Sequence, residues 1–257
     1  MSQKSKPLSL ELPFRPEIGN SVGSGQDNRV FQLVGHAEKP HLRAPVGSVL
    51  KINHKNPHIN YARHPDEREA AWRGLKYKKN KYELLKLFLG DFVPDTAFVL
   101  GKVHEGRSER YAEFTVQQEV PRVSLSDLTS EQREDPRLIS QVTDLMSRLQ
   151  YMYDVLGEVN ARSDHKAPLD GTLNLGGVSG LVRSEGLDHR FTAEDAENII
   201  NENGSPNLLV DPATMQLYCI DFGQGQWTDS MDRTKAMAEQ IVSDDRRVSI
   251  GKLAVEA

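Results

Sequence analysis

Apolar residues in this chain fall first into short strand-like runs and later into helical spacing. Gly19, Gly23 and Gly25 lead into Val30, Phe31, Leu33 and Val34, and Gly47 leads into Val49, Leu50 and Ile52. Lying on either side of Pro40 and Pro45, these two runs read as strands. Pro65 then occupies a position that a first helical turn tolerates. Asp66, Glu67 and Glu69 supply the negative charge favoured by a helix N-terminus, so a long helix is expected over about 66–89. Gly90 suits its C-terminal cap, and Pro94 opens the next segment.

Thr96–Leu100 and Tyr111–Val116 read as two strands joined through a turn over Glu105–Ser108, and hence as a hairpin. After Pro121 and a polar stretch, Leu138, Ile139, Val142, Leu145, Met146, Leu149 and Met152 recur at spacings of three, four and seven, which predicts an amphipathic helix. Glycines at 171, 176, 177 and 180 interrupt any regular assignment over 160–203, although Thr192 followed by Asp195 resembles a capped helix start. Leu208–Val210 and Leu217–Ile220 form a second hairpin across Asp211–Thr214, with Pro212 in the second turn position. The first 16 residues read as a flexible, proline-punctuated lead-in, and the tail from Asp229 is helix-permissive but highly charged.

At 257 residues, the chain accommodates one large domain or two lobes, given about 150 residues per domain. Its 32 Lys and Arg against 37 Asp and Glu leave a net charge of -5, which argues against a dedicated nucleic-acid partner. The longest stretch without a charged residue or His, 171–182, is 12 residues, short of the roughly 18 needed to cross a bilayer. A basic N-terminus with no apolar core after it argues against a secretory signal. Together with the single cysteine, Cys219, this favours a cytoplasmic setting and no membrane partner.

The chemistry concentrates at the second hairpin. An amide oxygen at Asn207 and a carboxylate at Asp221, at its two ends, can chelate one Mg²⁺-phosphate assembly. Phe222 and Gly223 follow, a pair able to turn sharply after a strand-end aspartate.

With Asn207, Asp221, Phe222 and Gly223 in this order, the chain resembles the protein-kinase-like superfamily, especially its aminoglycoside- and choline-kinase-like small-molecule phosphotransferases. The resemblance spans roughly Ile18 to Gln224. It implies an α+β, bilobal protein-kinase-like fold with an N-lobe over 17–120 and a compact C-lobe over 121–257. Gly23, Ser24 and Gly25 would form the glycine-rich loop ahead of Val30, and Lys51 would contact the nucleotide phosphates. Glu83, in competition with Glu69, would pair with Lys51. Gln118, Glu119 and Val120 would hold adenine through main-chain atoms. Asn207 and Asp221 would hold Mg²⁺, making ATP and Mg²⁺ the cofactors and a hydroxyl of a small molecule or protein the acceptor.

The chain departs from the family where an aspartate five residues before the asparagine accepts the acceptor proton, two positions after a histidine. Here Glu202 and Ile200 stand in those places. A pseudokinase, a nucleotide-binding interaction module without transfer, is the alternative. Only 34 residues follow Gly223, too few for the helical platform of eukaryotic-type protein kinases. Asp229 and Asp232 in the tail either meet a substrate cation or are solvated. Trp72 and Trp227 are expected as packing residues, His165 and His189 as structural or surface groups, and the basic 73–86 segment as a solvated helix face.

Overall fold

Alternating strands first and amphipathic helices afterwards give an α+β molecule with antiparallel sheets. The computed structural model describes residues 8–12, 16–24, 28–36, 48–53, 66–105, 108–121, 123–163, 177–185, 189–202, 207–220 and 231–255. They divide into two compact units, residues 1–79 with 95–119 and residues 80–94 with 120–257.

The first unit is a six-stranded sheet in the order β1-β5-β6-β4-β3-β2. Its strands are β1 (Leu8–Glu11), β2 (Pro16–Ser24), β3 (Asn28–His36), β4 (Ser48–Asn53), β5 (Thr96–Glu105) and β6 (Ser108–Gln118). Register pairs Leu50 with Val116 and Ile52 with Phe114, so the apolar residues of both strands share one face. There they join Leu33, Val99, Val103 and Ala112 in a buried core. The opposite face carries Lys51, Thr115 and Glu113, and it meets α1 (Glu67–Leu89) at Gly74 and Lys78.

Helix α1 starts where its sequence indicates. Asp66 Oδ1 accepts the backbone N–H groups of Arg68 at 2.9 Å and Glu69 at 3.2 Å, and Gly90 ends the helix at φ +56°. Its first half belongs to the sheet unit and its second half to the helical one, whereas the N-lobe boundary expected over 17–120 keeps it whole. The physical reason is its neighbours: Phe88 packs edge-on against Tyr151, 5.9 Å between ring centroids. The lead-in expected over 1–16 also needs correction. Leu8–Glu11 is an edge strand paired with Glu105–Lys102.

The second unit is built on α3 (Pro136–Arg162), capped by Asp135 with Pro136 in its first turn. Its stripe from Leu138 to Val159 is buried. The short helix α2 (Ser130–Arg133) precedes it, and α4 (Gly177–Glu185) and α5 (Ala193–Asn201) follow. A three-stranded sheet joins β7 (Val123–Ser124), β8 (Leu208–Val210) and β9 (Leu217–Cys219). The charged tail forms α6 (Met231–Val255), which packs against α3. Among the described residues no helix is long and apolar enough to cross a membrane.

Candidate functional site

In the sheet unit, β2 and β3 form the hairpin that carries the glycines. Gly23 lies opposite Val30 and Ser24 opposite Arg29, after register shifts between Ile18 and Gly23. Gly25 lies outside the described residues. Val30 in turn lies opposite Lys51, and Lys51 opposite Thr115, so the hairpin, the lysine strand and β6 are consecutive neighbours. Lys51 is half-buried.

Strand β6 ends at Gln118, whose main-chain N–H donates to Asp95 O at 2.8 Å, while Asp95 N–H donates to Gln118 Oε1 at 3.4 Å. These contacts close the base of the β5–β6 hairpin. They commit the Gln118 N–H, so a main-chain donor to a ligand along this segment comes from Glu119 or Val120. Both are half-buried and outside regular structure. The chain passes from the first unit to the second between them.

Residues that the sequence did not single out support Lys51's face of the sheet. Glu113 is 4% exposed and lies within ion-pair distance of Lys78 through Oε2. That contact lacks hydrogen-bond geometry, which leaves Oε2 without a hydrogen-bond partner. Gly74 makes the space: a Cβ there would stand 2.0 Å from Glu113 Oε1. A glycine inside a helix and a glutamate between Ala112 and Phe114 each break a local rule, and that pair of anomalies was the available signal.

In the second unit, Glu83 on α1 accepts through Oε2 from Lys235 Nζ on α6. This contact raises the Lys235 amine above its ordinary range. Glu69, in the first unit, is exposed and accepts from Arg73 Nε at 2.9 Å. Glu202 is the exposed C-cap of α5, its N–H donating to Asn198 O at 2.9 Å. Helix α5 itself begins with a reciprocal Thr192–Asp195 cap. The Thr192 backbone and hydroxyl hold the Asp195 carboxyl below the usual carboxylate range.

Asn207 and Ile220 join the ends of the β8–β9 hairpin. The Asn207 carbonyl accepts the Ile220 N–H at 3.0 Å, which brings Asn207 beside the residue preceding Asp221. Asp221, Phe222 and Gly223 lie outside the described residues. The turn is tight: Met215 takes φ +61°, and Asp211 Oδ1 accepts the Ala213 N–H at 2.9 Å. That bond keeps the Asp211 carboxyl below its ordinary range. Gln141 Oε1 on α3 accepts the Leu217 N–H at 2.8 Å and fixes the hairpin to the helical unit.

The donor set suits a hard cation, since an amide oxygen at Asn207 and a carboxylate at Asp221 are the ligand types Mg²⁺ takes, and an ammonium at Lys51 suits phosphate oxygens. Among the described residues, no group of three or more His, Cys, Asp or Glu side chains is placed to hold a metal.

Two expectations about non-site residues resolve differently. His189 sits edge-on against Phe191 and within 3.4 Å of Asp195, a structural role. Trp72, expected in packing, is 50% exposed on α1. No family model matches the chain, and no curated protein matches it.

Proposed function

We propose that this protein is an ATP- and Mg²⁺-dependent phosphotransferase of bilobal protein-kinase-like fold, acting on a hydroxyl of a small molecule or protein. The observation that carries the reading is the succession across the sheet. The glycine hairpin neighbours the Lys51 strand, and that strand neighbours β6, which runs directly into Gln118–Val120. The Asn207–Ile220 bond adds support, because it closes the hairpin from whose ends the two metal ligands would project.

In this reading, Lys51 binds phosphate oxygens and Glu83 carries the balancing carboxylate. Glu119 and Val120 offer main-chain groups to adenine. Asn207 and Asp221 would hold Mg²⁺, which supplies neutralisation of phosphate charge when bound. Glu202 orients the acceptor hydroxyl. Catalysis here is mostly positioning and electrostatics, so losing Asp221 should cost more than losing Glu202.

Single-turnover transfer from γ-labelled ATP to candidate acceptors tests this directly. Asp221→Ala should abolish transfer and Glu202→Gln should slow it; transfer unchanged by Asp221→Ala sinks the proposal. The exposed Glu202, at the end of α5 where the family has an aspartate, favours a second reading as a pseudokinase. ATP binding without transfer to any acceptor would select that reading.

A further inference from the structure

We propose that Lys78 is a second phosphate-binding ammonium, seated by Glu113 on the sheet face that carries Lys51. The inference rests on the reading above, in which Lys51 binds nucleotide phosphates. Lys51, Lys78 and Glu113 all belong to the first unit. Lys51 lies opposite Thr115 on β6, and Glu113 stands two residues before Thr115 on the same face. Diagonal neighbours of this kind are about 7–8 Å apart. Residues 74–78 of α1 lie over Glu113, since a Cβ on Gly74 would meet its Oε1 and Lys78 Nζ pairs with its Oε2. The pair therefore places the Lys78 ammonium beside Glu113, on Lys51's side of the sheet.

Lys78 has what a phosphate ligand needs. Its side chain is 26% exposed against 4% for Glu113, so the lysine is reachable from solvent and the carboxylate is not. Among the described residues Glu113 is its ionic partner, and its side chain makes no hydrogen bond. All three ammonium N–H groups remain for acceptor oxygens.

Fastening a helix to a sheet does not by itself account for this pair. Glu113 Oε2 is buried without a hydrogen-bond partner, which is costly, and well-packed apolar side chains hold a helix at least as firmly as a buried ion pair. The chain also gives up a side chain inside α1, at Gly74, to admit the carboxylate. These costs are accounted for by what the carboxylate does to a long, flexible lysine. One ionic contact draws the ammonium to a fixed place on the face and leaves its N–H groups to phosphate oxygens, the preorganised charge on which phosphoryl transfer depends.

Calorimetric titration into the full chain tests the assignment, with Mg²⁺-ATP, tripolyphosphate and adenosine as probes. The proteins are wild type, Lys51→Ala, Lys78→Met, Glu113→Gln and the Lys78→Met/Glu113→Gln double variant. Lys78→Met leaves a buried charge unpaired; the double variant removes both charges and carries the test where the single one fails to fold. Each folded variant lacking Lys78 should bind Mg²⁺-ATP and tripolyphosphate about tenfold more weakly than wild type, the worth of one charge-assisted hydrogen bond. Glu113→Gln keeps the ammonium and should lose about two- to threefold. Adenosine should bind these variants and wild type alike. Mg²⁺-ATP binding unchanged by the loss of Lys78 overturns the proposal, as does adenosine binding that falls by the same factor, the mark of a structural role. Weakening by Lys51→Ala alone would sink Lys78 and leave the phosphotransferase reading standing, whereas no nucleotide binding by the folded wild type would sink both.

Discussion

Replacing Gly74 with alanine sets two opposed effects against each other at a defined distance. In an unobstructed helix the change stabilises by about 0.5–1 kcal/mol, because glycine loses more backbone freedom on folding. At Gly74 the new methyl would stand 2.0 Å from Glu113 Oε1 and 3.0 Å from its Cδ. The carboxylate must move, and at 4% exposure it has little room to do so without leaving Lys78. Breaking a fully buried pair costs about 3–5 kcal/mol. Lys78 is 26% exposed and keeps part of its hydration, which brings the loss to roughly 2–3 kcal/mol. The net expectation is destabilisation by about 1–2 kcal/mol. Gly157 on α3 provides the control, since a Cβ there meets nothing within 4 Å. Gly157→Ala should therefore stabilise by about 0.5–1 kcal/mol. Urea unfolding followed by far-UV circular dichroism reads both, and Gly74→Ala in a Glu113→Ala background should turn from harmful to helpful. Gly74→Ala as stable as wild type would refute the reasoning.

Acid should weaken the hairpin turn and the α5 cap. The Asp195 and Asp211 carboxyls, held low by bonds from Thr192 and Ala213, stabilise fully above the unfolded carboxylate value near about 3.9, and that stabilisation fades as pH falls through their folded values. Asp211→Asn should thus be less stable than wild type at pH 7, with the gap in unfolding midpoint closing in strong acid; a gap constant with pH contradicts this. Cys219 is fully buried on β9, and burial pushes its thiol up to about 12. A thiol reagent at pH 8 should label it only as fast as the protein opens, and labelling of the native state at a free-thiol rate would contradict its placement.

What the sequence made legible was what local chemistry decides. Asp66 and Gly90 bracket α1 as their residue types indicate, and Thr192 with Asp195 forms the cap its spacing suggests. The helix read from Leu138 to about Tyr153 runs on to Arg162, because Val155, Leu156 and Val159 continue the same buried stripe. Strand β1 was missed because a four-residue edge strand owes its existence to β5 rather than to its own pattern. Glycines at 177 and 180 concealed α4, since glycine weakens helix propensity without forbidding a helix. Trp72 shows the limit of residue type as a guide, because exposure depends on which way a helix faces. At the candidate site, the strand that carries Lys51 and the hairpin that opens at Asn207 were readable as elements from the apolar pattern. Glu113 with Gly74, and Glu83 with Lys235, are 39 and 152 residues apart and meet only through the fold.

The central proposal is that the chain binds Mg²⁺-ATP, with Lys51 and Asp221 each taking part. Calorimetric titration of ATP with and without Mg²⁺ tests it most directly, on wild type, Lys51→Ala and Asp221→Ala, each first shown to be folded. The account predicts Mg²⁺-dependent binding by the wild type that both substitutions weaken. No detectable binding by the folded wild type, at nucleotide concentrations extending into the millimolar range, would contradict it.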